Sequence, residues 1–192
     1  MEIGATKAVQ DRLKTTKIEE SKGASLVFCW DTHLTKIKRR NVLFIVNASN
    51  RYTIAMTDIE PRNWNYYAMY ISRVIHGVMQ EMGYSEDQIG QYFKMSGDTT
   101  VTKTHGRKSV GGINRMVMDA QYFGKKLEKE AKYQWELSEY LNRDICQPEG
   151  FDAYGYPNEL FKLDMERLGI ATKRKPAKVI DFAQYIENNR GT

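Results

Sequence analysis

One change of pattern constrains the fold of this chain more than any other feature: after Pro61 the hydrophobic period changes from strand-like to helix-like. Before that point, β-branched and aromatic residues fill three runs within residues 25–56, LVFCW, VLFIVN and RYTIAM. Such composition is typical of strands. The polar segments 38–41 and 47–50 separate the runs and suit hairpin turns. The sequence therefore predicts a three-stranded antiparallel meander.

The second part of the chain has apolar residues at helical spacing. A long amphipathic helix is predicted over 62–82, and its buried face comprises Tyr67, Ile71, Val74, Ile75, Val78 and Met82. A capping box at Ser85–Gln88 predicts the start of the next helix. Further helices are predicted from Ile113 onward and after Pro157.

The predicted fold class is α+β, with a small three-stranded antiparallel sheet packed by several following helices. A length of 192 residues fits one domain, which we assign to residues 1–168. Residues 169–192 are predicted to form a basic C-terminal tail, because lysine and arginine are concentrated there.

Charge and cysteine usage limit the classes of function. The net charge of +5 permits a nucleic-acid partner or an acidic protein partner without requiring either. Cys29 and Cys146 lie far apart and form no Cys-x-x-Cys motif, so we expect free, reduced thiols in a cytoplasmic protein. No apolar run approaches the length needed to span a bilayer, so we expect no membrane association. The sequence does not indicate an oligomeric state.

The segment TKTHGRKSVGGINR, residues 102–115, is the densest in chemically active side chains. Exposed N–H groups at a helix start attract anions, and Gly111-Gly112 would let the backbone approach a ligand closely before a helix at Ile113. The segment therefore predicts either an anion-binding site or a solvated basic turn. Its candidate ligand-binding residues are Lys103, Arg107, Lys108, Asn114 and Arg115.

His105 is a weak catalytic candidate, as a general acid or base. Its sequence neighbours are cations and hydroxyls, which would lower the pKa of the imidazole and provide no orienting carboxylate. We therefore expect that His105 has no catalytic role.

A second basic feature follows the first predicted strand. Lys36, Lys38 and Arg40 alternate along the chain and would line one strand face as a phosphate-binding stripe. The alternative is an edge that resists aggregation between sheets. Asp31 and His33 also share a predicted strand face, but no third or fourth ligand has suitable spacing. We expect neither a metal nor a cofactor.

The ordered motifs together resemble a bacterial and phage domain family of unknown function. The resemblance rests on Trp30-x-x-His33-Leu34, the run KRRNVLFIVN over 38–47, the segment 102–114, and Leu141-Asn142-Arg143 followed by Tyr156-Pro157. It covers roughly residues 5–168 and implies a fold but no activity. Members look like small accessory proteins of bacteria and mobile elements, and some phage proteins of this size inhibit RNA-guided nucleases.

The resulting functional prediction is a non-catalytic binding protein that engages nucleic acid or a nucleoprotein, with an anti-CRISPR-type inhibitor as one form of it. A phosphodiesterase or nuclease that uses His105 is the enzymatic alternative. A module that binds only protein is the third possibility. A carboxylate or a second histidine folded beside His105 is the feature that would separate the first two.

Overall fold

The strands form a five-stranded mixed sheet. In the computed structural model, which describes residues 1–15 and 18–171, the strands are β1 (Glu2–Ala5), β2 (Cys29–Ile37), β3 (Arg40–Asn47), β4 (Thr53–Thr57) and β5 (Thr100–Thr102). Their order across the sheet is β4-β3-β2-β1-β5. β2, β3 and β4 pair antiparallel, which confirms the meander, whereas β1 pairs parallel with both β2 and β5.

The prediction of a three-stranded antiparallel sheet was therefore wrong, because β1 and β5 extend the sheet beyond β2 with parallel pairing. β1 has only four residues, and all four are buried. A strand buried on both faces lacks the alternation of polar and apolar residues that reveals strands in a sequence. β5 has only three residues, and its place beside β1 depends on a pairing between segments distant in sequence.

Both turns of the meander follow from local chemistry. Lys38 and Arg39 have positive φ angles of 47° and 70°, as the central residues of a tight hairpin turn require. After β3, the Asn47 carboxamide oxygen accepts hydrogen bonds from the backbone amides of Ser49 and Asn50 at 3.0 and 3.3 Å. An asparagine that binds nearby backbone in this way fixes the turn.

The helices mostly follow the predicted periodicity. In the described residues they are α1 (Lys7–Leu13), α2 (Pro61–Asn65), α3 (Tyr67–Glu81), α4 (Glu86–Ser96), α5 (Arg107–Gln121), α6 (Trp135–Asn142) and α7 (Pro157–Arg167). The single helix predicted over 62–82 is interrupted at Tyr66, where φ is −118°. The capping box of Ser85 and Gln88 is present. No helix in this part of the chain is long and apolar enough to cross a membrane.

Helices cover both faces of the sheet. One face carries Ile3, Trp30 and Ile45, which pack with Ile71 and Tyr92 of α3 and α4. The opposite face has an apolar cluster from β3 and β4 that packs against α5 and α6. Near β1 and the start of α5, that second face is polar, and the candidate site lies there. Of the predicted basic tail, residues 172–192 lie outside the described residues.

Candidate functional site

The site is built where the chain leaves β5 and enters α5. The helix begins at Arg107, with Gly106 as the residue before it. Gly106 has a positive φ of 94°, a conformation that favours glycine. His105 therefore lies immediately before a sharp turn, and its side chain is buried against the polar part of the sheet.

His105 is held between two carboxylates. Its Nδ1 lies 2.7 Å from Asp31 Oδ1, and its Nε2 lies 3.0 Å from Glu2 Oε2. The His105 backbone amide also donates to Asp31 Oδ1 at 3.2 Å. The exposed fractions of the His105, Asp31 and Glu2 side chains are 3%, 0% and 6%. The expectation that only cations and hydroxyls surround His105 was therefore wrong, because the carboxylates come from strands distant in sequence.

Further hydrogen bonds orient the two carboxylates. Asp31 accepts a hydrogen bond from the Ser109 hydroxyl, in the first turn of α5. Glu2 accepts from the Ser21 hydroxyl at 2.6 Å and from the Lys22 backbone amide at 2.8 Å. The carboxylates are thus fixed by the protein before any ligand binds.

The two carboxylates also determine the charge of His105. Burial alone would lower the pKa of His105, but hydrogen bonds with Asp31 and Cys29 and the charge of Asp31 raise the pKa to about 10. Burial alone would raise the pKa of Glu2, but hydrogen bonds from Ser21, the Lys22 amide and His105 lower it. The cluster is therefore an imidazolium between two carboxylates. Because both ring nitrogens are engaged and the ring is buried, His105 is not presented to an outside substrate.

A thiol completes the cluster. Cys29 begins β2 directly opposite Glu2 of β1, and it is fully buried as a free cysteine. One ligand atom each from Glu2, Cys29 and His105 can be chosen so that all three lie within 4.8 Å of one another. Sulfur, imidazole nitrogen and carboxylate oxygen are the donors that zinc binds in proteins.

The predicted phosphate site at the start of this helix is not formed as expected. Asp31, a carboxylate of the protein itself, accepts hydrogen bonds from His105 and Ser109 there. Gly111 and Gly112 lie inside α5 rather than before it. Gly112 allows close packing instead, since a Cβ there would lie 2.9 Å from Arg51 Nε.

The predicted cations of this segment are mostly engaged within the protein. Lys103 pairs with Glu20, Lys108 donates to the Pro148 carbonyl at 3.3 Å, and Arg115 pairs with Asp119 at 3.2 Å. Arg107 and Asn114 are exposed, and neither side chain has a hydrogen-bond or ion-pair partner within residues 1–15 and 18–171.

The second predicted set does not form a stripe. In the register of β2 and β3, Lys36 lies opposite Asn41 and Ile37 lies opposite Arg40. Lys36 and Arg40 therefore project from opposite faces of the sheet. Lys38 lies in the turn between the strands. The correction follows from the hairpin, which ends β2 at Ile37.

The end of the sheet nevertheless gathers cations from two segments. Lys38 Nζ donates to the Lys125 carbonyl at 2.6 Å, and Arg40 donates to the Glu128 carbonyl at 2.6 Å. The Gln121 side-chain Nε2 donates to the Lys36 carbonyl at 3.1 Å. These bonds attach the hairpin to the segment 121–130, and we call this region the basic end. It lies at the far end of α5 from His105, about 21 Å along the helix.

Fold and site together define an α+β protein whose mixed sheet carries a buried carboxylate–histidine–thiol cluster on one face. The chain belongs to the family described as Domain of unknown function (DUF6933), whose model matches residues 2–160. No curated protein and no solved structure matches the chain. The resemblance drawn from the motifs is thereby confirmed at the level of a domain family of unknown function.

The sequence did not reveal the residues that surround His105. Glu2 and Cys29 had no recognisable motif, and Asp31 was considered only as a partner of His33. His33 in fact lies 3.1 Å from the Thr6 hydroxyl through its Nδ1. The sequence contains one local signal of this cluster. Asp31 is a charged residue inside a strand, between Trp30 and Thr32, and a charge that is buried in a sheet requires a polar partner.

Proposed function

We propose that this protein is a non-catalytic binding protein for nucleic acid, and that the basic end contacts the phosphate backbone. The observation that supports the proposal is a set of four exposed cations with no acidic partner among the residues that the structure describes. They are Lys36 and Arg39 of the hairpin and Lys126 and Lys129 of the segment attached to it.

Unpaired cations suit a phosphate contact better than paired ones, because no internal ion pair has to break. The cations around the start of α5 are weaker candidates for this reason, since Lys103 and Arg115 already contact carboxylates. Two carboxylates of the basic end, Glu128 and Glu130, also have no cationic partner within the described part of the chain. Within the basic end, the four unpaired cations therefore outnumber the two unpaired carboxylates.

One large aromatic side chain of the segment 121–130 is exposed. Tyr122 directly follows α5 and is 79% exposed, which is unusual for a side chain of this size. Lys38 Nζ lies 5.5 Å from the centre of the neighbouring Phe123 ring. Proteins that bind single-stranded nucleic acid combine exposed aromatic rings, on which bases stack, with cations that contact the phosphates.

The salt dependence of binding tests the proposal. Binding of the full chain to single-stranded and duplex oligonucleotides should weaken steeply as salt rises. Each phosphate contact contributes about 0.7 to the logarithmic salt slope for single strands and about 0.9 for duplex DNA. Replacing Lys126 and Lys129 by alanine should therefore reduce the slope by about 1.4 for single strands.

Arg73→Ala with Lys94→Ala is the matched control. Both residues are exposed on the helices that cover the other face of the sheet, and the pair removes the same charge. The control should leave the slope and the affinity nearly unchanged. Equal losses in the two double variants would mean that only net charge matters. No detectable binding to either strand type would contradict the proposal and favour a partner that is protein alone.

A further inference from the structure

A set of potential metal donors converges beneath the start of α5, away from the basic end. Glu2, Cys29 and His105 come from β1, β2 and the segment before α5, and no donor is more than 8% exposed as a residue. The Nε2 of His105 and the Oε2 of Glu2 are 3.0 Å apart. One donor atom each from Glu2, Cys29 and His105 lies within 4.8 Å of the other two. The chain thus brings a sulfur, a nitrogen and an oxygen to one buried point.

The surroundings orient these donors as metal sites commonly do. Asp31 accepts from Nδ1 of His105 at 2.7 Å, so a carboxylate fixes the ring with Nε2 directed toward Glu2. A carboxylate on the far nitrogen of a ligating histidine is a common second layer of zinc sites, where it sets the tautomer. Ser21 and the Lys22 amide fix Glu2 in the same way.

We infer that Glu2, Cys29 and His105 bind a divalent transition metal of the zinc type, which joins β1, β2 and the start of α5. The donor set determines the class of ion. A cysteine sulfur and an imidazole favour zinc or cobalt over magnesium or calcium, which prefer oxygen ligands. Three protein donors leave one position of a tetrahedral shell for a water or the second oxygen of Glu2.

Binding requires only local adjustment. Metal–ligand bonds of zinc place neighbouring donors about 3.3–3.7 Å apart, so Glu2 and His105 must separate slightly while the thiol approaches them. The thiol now lies 3.5 Å from the Ser25 carbonyl and 3.6 Å from the Ala24 carbonyl. A metal replaces the protons of the thiol and of Nε2, because it binds the thiolate and the neutral ring. The two carbonyls then lose a donor, which opposes binding in part.

Space for the cluster is built into β1. Gly4 has no side chain, and a Cβ at this position would lie 3.1 Å from His105 Nδ1. The proposal is independent of nucleic-acid binding, since the basic end lies at the other end of α5 and shares no residue with this cluster.

Cobalt titration of the full chain tests the inference. The purified protein, first stripped of metal with a chelator under reducing conditions, is titrated with Co²⁺ alone. We expect one Co²⁺ per chain, a thiolate-to-cobalt charge-transfer band, release of protons, and displacement of the cobalt by Zn²⁺. The metal should also raise the unfolding temperature, because a ligand that binds only the folded state stabilises it.

Two cysteine variants identify the sulfur. Cys29→Ser should abolish the charge-transfer band, whereas Cys146→Ser should retain it, because Cys146 is buried in a separate cluster with Phe151 and Leu160. Circular dichroism confirms that each variant is folded. Asp31→Asn should weaken binding about 10–100-fold, as loss of a second-layer partner typically does.

Two outcomes of the cobalt titration would contradict the inference. A parent protein that shows no charge-transfer band at one equivalent of Co²⁺ would overturn the inference. So would a band that survives in folded Cys29→Ser. In either case the cluster would be an ion-pair network that holds the strands together without a metal.

Discussion

Replacing Gly4 by alanine should destabilise the protein by about 3–5 kcal/mol, which is the usual cost of breaking a buried charge pair. A Cβ at this position would lie 1.8 Å from Asp31 Oδ1, whereas ordinary contact begins near 3.4 Å. Asp31 has no exposed surface, so it cannot turn toward solvent. It must withdraw from His105 and Ser109, which leaves a buried imidazolium short of one of its two carboxylates.

Urea denaturation followed by tryptophan fluorescence measures this change. For a chain of this size, about 1 kcal/mol corresponds to a shift of roughly 2–4 °C in the unfolding temperature, so the loss is also visible in a thermal melt. Gly111→Ala is the matched control, since a Cβ there meets no atom within 4 Å. In a helix interior it should stabilise by about 0.5–1 kcal/mol. A Gly4→Ala protein within about half a kcal/mol of the parent, the range of neutral surface changes, would refute the described packing.

Three further predictions concern the core, the His105 cluster and the burial of His33. Ile71→Ala should lower the free energy of unfolding in urea by about 2–5 kcal/mol, because Ile71 is fully buried and the change leaves a cavity. A loss below about 1 kcal/mol, half of the lower limit of that range, would show that the buried face of the helix is misassigned. His105→Ala should cost about 3–5 kcal/mol, because it leaves Asp31 and Glu2 buried without a cation; unchanged stability would contradict the ion-pair cluster. Burial lowers the pKa of His33, so the unfolded chain binds this proton more tightly and stability should fall as pH drops below about 6.5. His33→Gln should reduce that slope by at most about 1.4 kcal/mol per pH unit, and identical slopes in parent and variant would contradict the burial of the ring.

Much of the fold was predictable from local pattern. The β-branched runs predicted β3 and β4, and the capping box predicted the start of α4 at the observed residue. The first run predicted only the start of β2, because Leu26–Phe28 form a 3-10 helix and the strand continues to Ile37. The helical period predicted the buried face of α3, including Ile71 and Val78. These features depend on residues close in sequence, and local propensity and periodicity report on such residues.

The site was not predictable for the same reason. Glu2 and His105 are 103 residues apart, and Asp31 and His105 are 74 apart, so no window of sequence contains the cluster. The start of α5 was also placed too late, because Gly111-Gly112 reads as a break in a sequence. Within the fold, the second glycine instead lets α5 approach Arg51, and tertiary packing overrides the low helix propensity of glycine.

Nuclear magnetic resonance of the isotope-labelled full chain, titrated with a single-stranded oligonucleotide, tests the central functional claim most directly. The amide signals that shift first should come from residues 36–41 and 121–130, which form the basic end, together with the ring signals of Tyr122. Added salt should reverse these shifts, because the contacts are with phosphates. Shifts confined to α3 and α4, or no shift at all at saturating oligonucleotide, would contradict the proposal.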